Sequence, residues 1–154
     1  MGKRSPFSFD RLEVYRTAME FTHVCSKLED SLPGRKADVR DMLARESTNV
    51  LLKIARGSAE TRRQAFHTFR QSRRSAEQCH SILDGLRMTE IGSQPHVTAG
   101  IELLERVETG LTELIDALSK KLKMEPLPPL GEMPPEPLDE PEQRQDKRDR
   151  REKS

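Results

Sequence analysis

Apolar residues recur along this chain at the helical period. From Val14 they continue at Ala18, Phe21, Cys25, Leu28 and Leu32, with spacings of 4, 3, 4, 3 and 4 that hold them on one face of a helix. The pattern predicts a first helix from Asp10, placed to cap its start, to Leu32, ended by Pro33-Gly34. A second spans Arg35 to Ala55, with Val39, Leu43, Val50 and Ile54 on its main face, Glu46 interrupting that face and Gly57 as its stop. Thr61-x-x-Gln64 fits a capping box for a third helix, Thr61 to Met88, closed by Gly92 and Pro95. Its seam of Ala65, Phe69, Ser72, Ala76, Cys79, Leu83 and Leu86 is the most regular in the chain and rich in small residues, which favours close helix approach. The fourth helix, Val97 to Lys123, carries Ile101, Leu104, Leu111, Ile115, Leu118 and Leu122, and Lys120, Lys121 and Lys123 suit its C-terminal dipole.

Four helices, each with one apolar stripe and joined by short turns, bury those stripes most economically around a shared core. The expected fold is all-α: an up-down-up-down antiparallel four-helix bundle over residues 9–124, after a flexible N-terminus at 1–8. Beyond it, Pro126 to Pro141 holds seven of the ten prolines, and the closing EQRQDKRDRREKS has no apolar residue, so 125–154 reads as a disordered, proline-rich and then charged tail. That tail is either a docking arm or a solvated end.

The second helix has more than a core stripe. Ala44, Thr48, Leu51 and Ala55 follow one another at spacings of 4, 3 and 4 on a different face, with Leu52 beside them. In a monomer this face would leave apolar surface in water, so these five residues are candidates for a subunit contact in a homo-oligomer. The alternative is a broader core contact with Leu51 or Leu52 tucked at its margin.

Composition agrees with a helical fold of dense surface charge. Hydrophobic residues make up 33%, charged residues 34% and aromatics only 4%, too few for a β-sandwich. No apolar run reaches the length of a membrane span or suits secretion, so a soluble cytoplasmic protein without membrane partners is expected. Cys25 and Cys79 fall on apolar faces and read as buried free thiols.

The net charge of +1 is distributed unevenly. Residues 1–34 carry five basic and five acidic side chains, 35–74 eleven and four, 75–124 five and eight, and 125–154 six and nine. The cationic forty-residue segment is therefore the part most suited to an anionic partner. Within it Arg63, His67, Arg70 and Arg74 follow at spacings of 4, 3 and 4, almost opposite the apolar seam of the third helix. Adjacent arginines repel one another at helical spacing, and guanidinium groups pair well with phosphate, so the stripe is a candidate contact for an RNA or DNA backbone. Arg62 and Arg73 lie nearer the seam, within reach of acidic residues on a neighbouring helix or subunit. Against this stands a solvated basic face balanced by Glu102, Glu105, Glu108, Glu113 and Asp116 of the fourth helix.

Signals for catalysis, metals and cofactors are poor. His23, His67, His80 and His96 are scattered, and Gly57-Ser58 lacks the spacing of a phosphate-binding loop. A non-enzymatic protein without a cofactor or metal is expected. Glu46 and Glu108, each interrupting a stripe, read as edge residues paired with a base.

Three stretches carry a family resemblance: Leu12 to Ala18 (LEVYRTA), Asn49 to Gly57 (NVLLKIARG), and Phe66-His67-Thr68-Phe69 followed by Ser75. Over residues 9 to 122 the chain resembles the four-helix-bundle family encoded in intervening sequences of bacterial large-subunit ribosomal RNA genes, a group that includes accessory proteins of diversity-generating retroelements. That family typically reads L-x-V-Y-x-x-A early and S-I-P-x-N-I-A-E-G at the end of helix two. This chain instead has Asn49, Leu51, Lys53 and Arg56 where the Ser, Pro, Asn and Glu stand, and Arg74 where a small Gly usually precedes the Ser matched by Ser75. The resemblance implies a ring, commonly a homopentamer, without catalytic activity, whose retroelement members bind a reverse transcriptase and nucleic acid. The substitutions make the end of helix two more basic, adding Lys53 and Arg56 to the candidate nucleic-acid contacts.

Two functions follow from different classes. One is an accessory bundle that presents its arginines to RNA or to a ribonucleoprotein partner. The other is a structural interaction bundle without nucleic-acid binding, in which the arginines form intersubunit salt bridges and the tail recruits the partner.

Overall fold

The computed structural model describes residues 9–124, apart from the side chains of Phe9, Asp10 and Leu12. The N-terminus expected to be flexible (1–8) and the tail expected to be disordered (125–154) lie outside the described residues. Four helices account for the described chain: α1 (Phe9–Asp30), α2 (Ala37–Ser58), α3 (Arg62–Thr89) and α4 (Gln94–Met124), with one turn of 3-10 helix at Gly34–Lys36. No described segment is a strand, and no described helix is long and apolar enough to cross a membrane.

Each helix packs against its neighbours in sequence, and α4 closes against α1. Diagonal helices stay apart, with no Cα of α1 within 8 Å of one in α3. Contacts along the seams give the direction. Gly92 meets Leu32, Gly100 meets Val24 and Gly110 meets Val14, so α4 runs antiparallel to α1. Ser72 of α3 donates to the Val50 carbonyl of α2 at 2.9 Å, and His80 of α3 meets Glu108 of α4. The result is the antiparallel four-helix bundle that the stripes require.

The core is the sum of those stripes. Every expected core position of α1 and α3 is buried, as are Leu43, Val50 and Ile54 of α2 and Ile101, Leu104, Leu111, Ile115 and Leu118 of α4. Val39 is half-buried against the core, Leu122 is only half-buried, and Val97, Val107 and Leu114 complete the α4 face. Each fully buried Leu, Ile or Phe contributes about 1.5 to 3 kcal/mol. Cys25 and Cys79 are both buried free thiols, and burial first pushes both thiol pKa values up, that of Cys79 to about 12. They sit on diagonal helices, so their Cα atoms are more than 8 Å apart, beyond the roughly 7 Å that a disulfide spans.

Several helix ends differ from the sequence reading. α1 begins at Phe9, so Asp10 lies inside the helix rather than capping it, and the helix ends at Asp30 rather than Leu32. α2 begins at Ala37, after the 3-10 turn, and does not stop at Gly57. Gly57 is buried within α2, and a Cβ there would stand 2.6 Å from the Phe69 ring, so this glycine serves close approach rather than termination. α3 keeps Thr61 as its cap, accepting from the Gln64 N–H at 3.4 Å, but ends on Glu90 in the left-handed region (φ 54°). The Ile91 N–H then bonds the Leu86 carbonyl, as in a Schellman ending. Gly92 (φ 83°) turns the chain after that cap instead of forming it, and Pro95 lies in the first turn of α4, which starts at Gln94.

Candidate nucleic-acid interface

The antiparallel order places the start of α1, the end of α2, the start of α3 and the end of α4 at one end of the bundle. Halving each helix near its midpoint, that end (residues 9–19, 48–75 and 110–124) carries twelve basic and five acidic side chains. The opposite end (20–47 and 76–109) carries seven basic and twelve acidic. The fold thus turns a nearly neutral chain into a bundle with a cationic and an anionic end.

α3 supplies five of the twelve basic groups of that end, more than any other helix. Opposite its inward seam stand Arg63, His67, Arg70 and Arg74; Arg70 and Arg74 are exposed, Arg63 and His67 half-buried. Arg70 lays its guanidinium 5.5 Å from the centroid of Phe66, and the Phe66 and His67 rings meet edge to face at 5.4 Å. Among the described residues Arg63, Arg70 and Arg73 form no ion pair with a carboxylate.

Among the described residues no ion pair joins a carboxylate of α4 to Arg63 or Arg70. Glu108 stands 2.9 Å from Nδ1 of His80, whose Nε2 lies 3.8 Å from Asp84. Glu102, Glu105 and Glu113 line a groove on the α1 side, with Glu13 and Arg106. Glu46, the other acid that interrupts a stripe, is 3.6 Å from Arg45. Direct ion pairs with the acidic fourth helix therefore do not balance Arg63 or Arg70.

Arg11 joins the cationic end, although sequence reasoning did not single it out. Its guanidinium lies 5.5 Å from the Phe69 centroid, and its pKa is lowered, first by burial and then by the charge of Arg62. Like charges are thus brought together by the bundle despite a separation of fifty-one residues in sequence. The signal was invisible in segment sums because residues 1–34 are neutral overall; only the antiparallel topology puts the two helix starts at the same end.

The remaining candidates are placed as follows. Lys53 is half-buried one turn before Gly57, on the flank of α2 that meets α3. Arg56 is exposed and engaged at 3.5 Å by Glu60, which also accepts from Thr68 at 2.5 Å, so its charge is partly compensated. Arg62 is exposed and Arg73 half-buried on the shoulder of α3. On α2, Leu51 packs half-buried against the core, Ala44 and Ala55 are half-buried, Thr48 is exposed, and Leu52 is 59% exposed. The second apolar face thus narrows to Leu52 with its small neighbours, because Leu51 is drawn into the core margin. Among the described residues no three His, Cys, Asp or Glu side chains gather in a way that could hold a metal ion.

The chain matches no known family model and no curated protein.

Proposed function

We propose that this protein is a non-enzymatic accessory bundle that binds the phosphate backbone of nucleic acid, RNA foremost, through its cationic end, and acts as a homo-oligomer. The observation that carries the reading is the outward arginine row of α3, in which Arg63 and Arg70 have no carboxylate partner among the described residues while like charges from α1 are packed against the same end. Phosphate relieves that repulsion and accepts paired guanidinium hydrogen bonds. The resemblance to retroelement accessory proteins supports the same class and adds a reverse transcriptase as a candidate protein partner.

Changing Arg63, Arg70 and Arg74 together to Gln tests it, because Gln keeps helix propensity and removes charge. Binding should weaken by a similar factor across sequences, and the slope of log K against log salt should fall in magnitude by about 2 to 3 units for three lost contacts. Wild-type protein that shows no salt-sensitive binding to RNA or DNA at about 50 mM salt would remove the proposal.

The exposed Leu52 supports the assembly part of the reading. Leu52→Glu should lower the mass seen by light scattering without loss of helical signal, since it places a charge in a desolvated contact. Leu51 is left alone because it packs against the core. A monomeric wild type at micromolar concentration would end the assembly claim.

A further inference from the structure

The charge of the cationic end accounts for a phosphate backbone of any kind, single or double. The aromatic group within it is more selective. Of the phenylalanines whose side chains are described, Phe21 and Phe69 are fully buried, and Phe66 alone is left half-buried at the surface. It lies in the middle of the basic face, edge to face with His67 and beneath the guanidinium of Arg70. In a chain with only 4% aromatic residues, an accessible aromatic pair beside Arg63 and Arg70 is the arrangement on which nucleobases stack while the backbone follows the charge.

We infer that Phe66 and Arg70 form a stacking position for an unpaired nucleobase, so that the ligand of the basic face is single-stranded nucleic acid. This rests on the phosphate-binding reading above and adds a requirement to it. In the free protein Arg70 covers the exposed face of Phe66 through a cation–π contact at 5.5 Å, which is the weaker of two options at a solvated site. When a strand arrives, the guanidinium turns to a phosphate and a base takes its place over the ring, with His67 bracing the ring edge. A duplex cannot make this exchange without unstacking a base, which costs free energy that the single strand does not spend. Arg63, one turn before His67 and on the same outward row, holds the neighbouring phosphate.

The test compares oligouridine, oligothymidine and a duplex of about a dozen nucleotides at one salt concentration, using wild type, Phe66→Leu and Phe66→Trp. Wild type should bind both single strands more tightly than the duplex. Phe66→Leu, which keeps an apolar side chain against the core, should weaken single-strand binding by about fivefold or more while duplex binding and the salt slope stay at wild-type values. The chain has no tryptophan, so Phe66→Trp supplies a sole indole fluorophore that should be quenched by the single strands and not by the duplex. Salt-sensitive binding that is equal for single strands and duplex, or indole emission in Phe66→Trp that stays unquenched while such binding persists, overturns the stacking inference and leaves phosphate binding standing. Loss of stability in Phe66→Leu shifts the decision to the tryptophan variant, and failure of wild type to bind any of the three ligands removes both claims.

Discussion

The two ends of the bundle treat crowded like charges differently. At the anionic end Glu29 has its pKa raised, first by burial and then by Asp30, but Arg40 on the adjoining helix pulls it back down. At the cationic end burial and then Arg62 both lower the pKa of Arg11. The acidic groups are spread among internal partners: Glu46 with Arg45, Glu108 with His80, Asp84 with Arg87 at 3.0 Å. Arg63, Arg70 and Arg73 take no carboxylate partner among the described residues. Within the cationic end Arg56 is met by Glu60, while Arg63, Arg70 and Arg73 are left for an anion from outside the chain.

The largest effect is expected where the cationic end is held together. Phe69 fills the space beside Gly57 and lies under Arg11, so Phe69→Ala should cost about 3 to 5 kcal/mol in urea unfolding through the cavity it leaves. A loss under about 1 kcal/mol would show that the end collapses to fill the gap and that its charges are not positioned by this ring.

A polyanion should then distinguish the ends. Inorganic polyphosphate at about ten times its Kd adds roughly 1.4 kcal/mol by mass action, a rise of several degrees in Tm. The rise should vanish when Arg63, Arg70 and Arg74 are changed to Gln and persist when three exposed arginines of the anionic end, Arg35, Arg45 and Arg87, are changed to Gln, which removes the same net charge. An equal response in both variants would mean that charge position is irrelevant and only net charge acts.

The smallest effect lies at Glu29. Its raised pKa means that the native state holds the proton more tightly than the unfolded chain, so the ionised group subtracts stability at neutral pH and the penalty fades as pH falls toward the ordinary value of 4.5. Glu29→Gln should therefore unfold at a slightly higher temperature than wild type at pH 7 and lose that advantage near pH 4. An advantage that grows on acidification would mean that the folded state favours the charged carboxylate, the opposite of what its burial requires.

Features written at short range were legible before any tertiary contact was known. The spacings in Val14 to Leu32 and in Ala65 to Leu86 specify a helix and its buried face from residues three and four apart. With the stripes of α2 and α4 they gave the four helices, the fold class and most of the core, though Val97, Val107 and Leu114 lay outside the expected α4 stripe. The arginine row was legible for the same reason. Features that depend on which helices are neighbours emerged only in the packed bundle. Packing drew Leu51 into the core margin while leaving Leu52 outside, because the width of a buried stripe is set by the helices on either flank. It made Gly57 a contact point for Phe69 instead of a terminus, and gave the left-handed cap of α3 to Glu90. It turned three glutamates of α4 toward α1 and away from the arginines, and set Arg11 near Arg62. Charge sums over segments cannot show this, since Coulomb interactions follow distance in space and an antiparallel bundle brings the first turn of α1 to the same end as the first turn of α3.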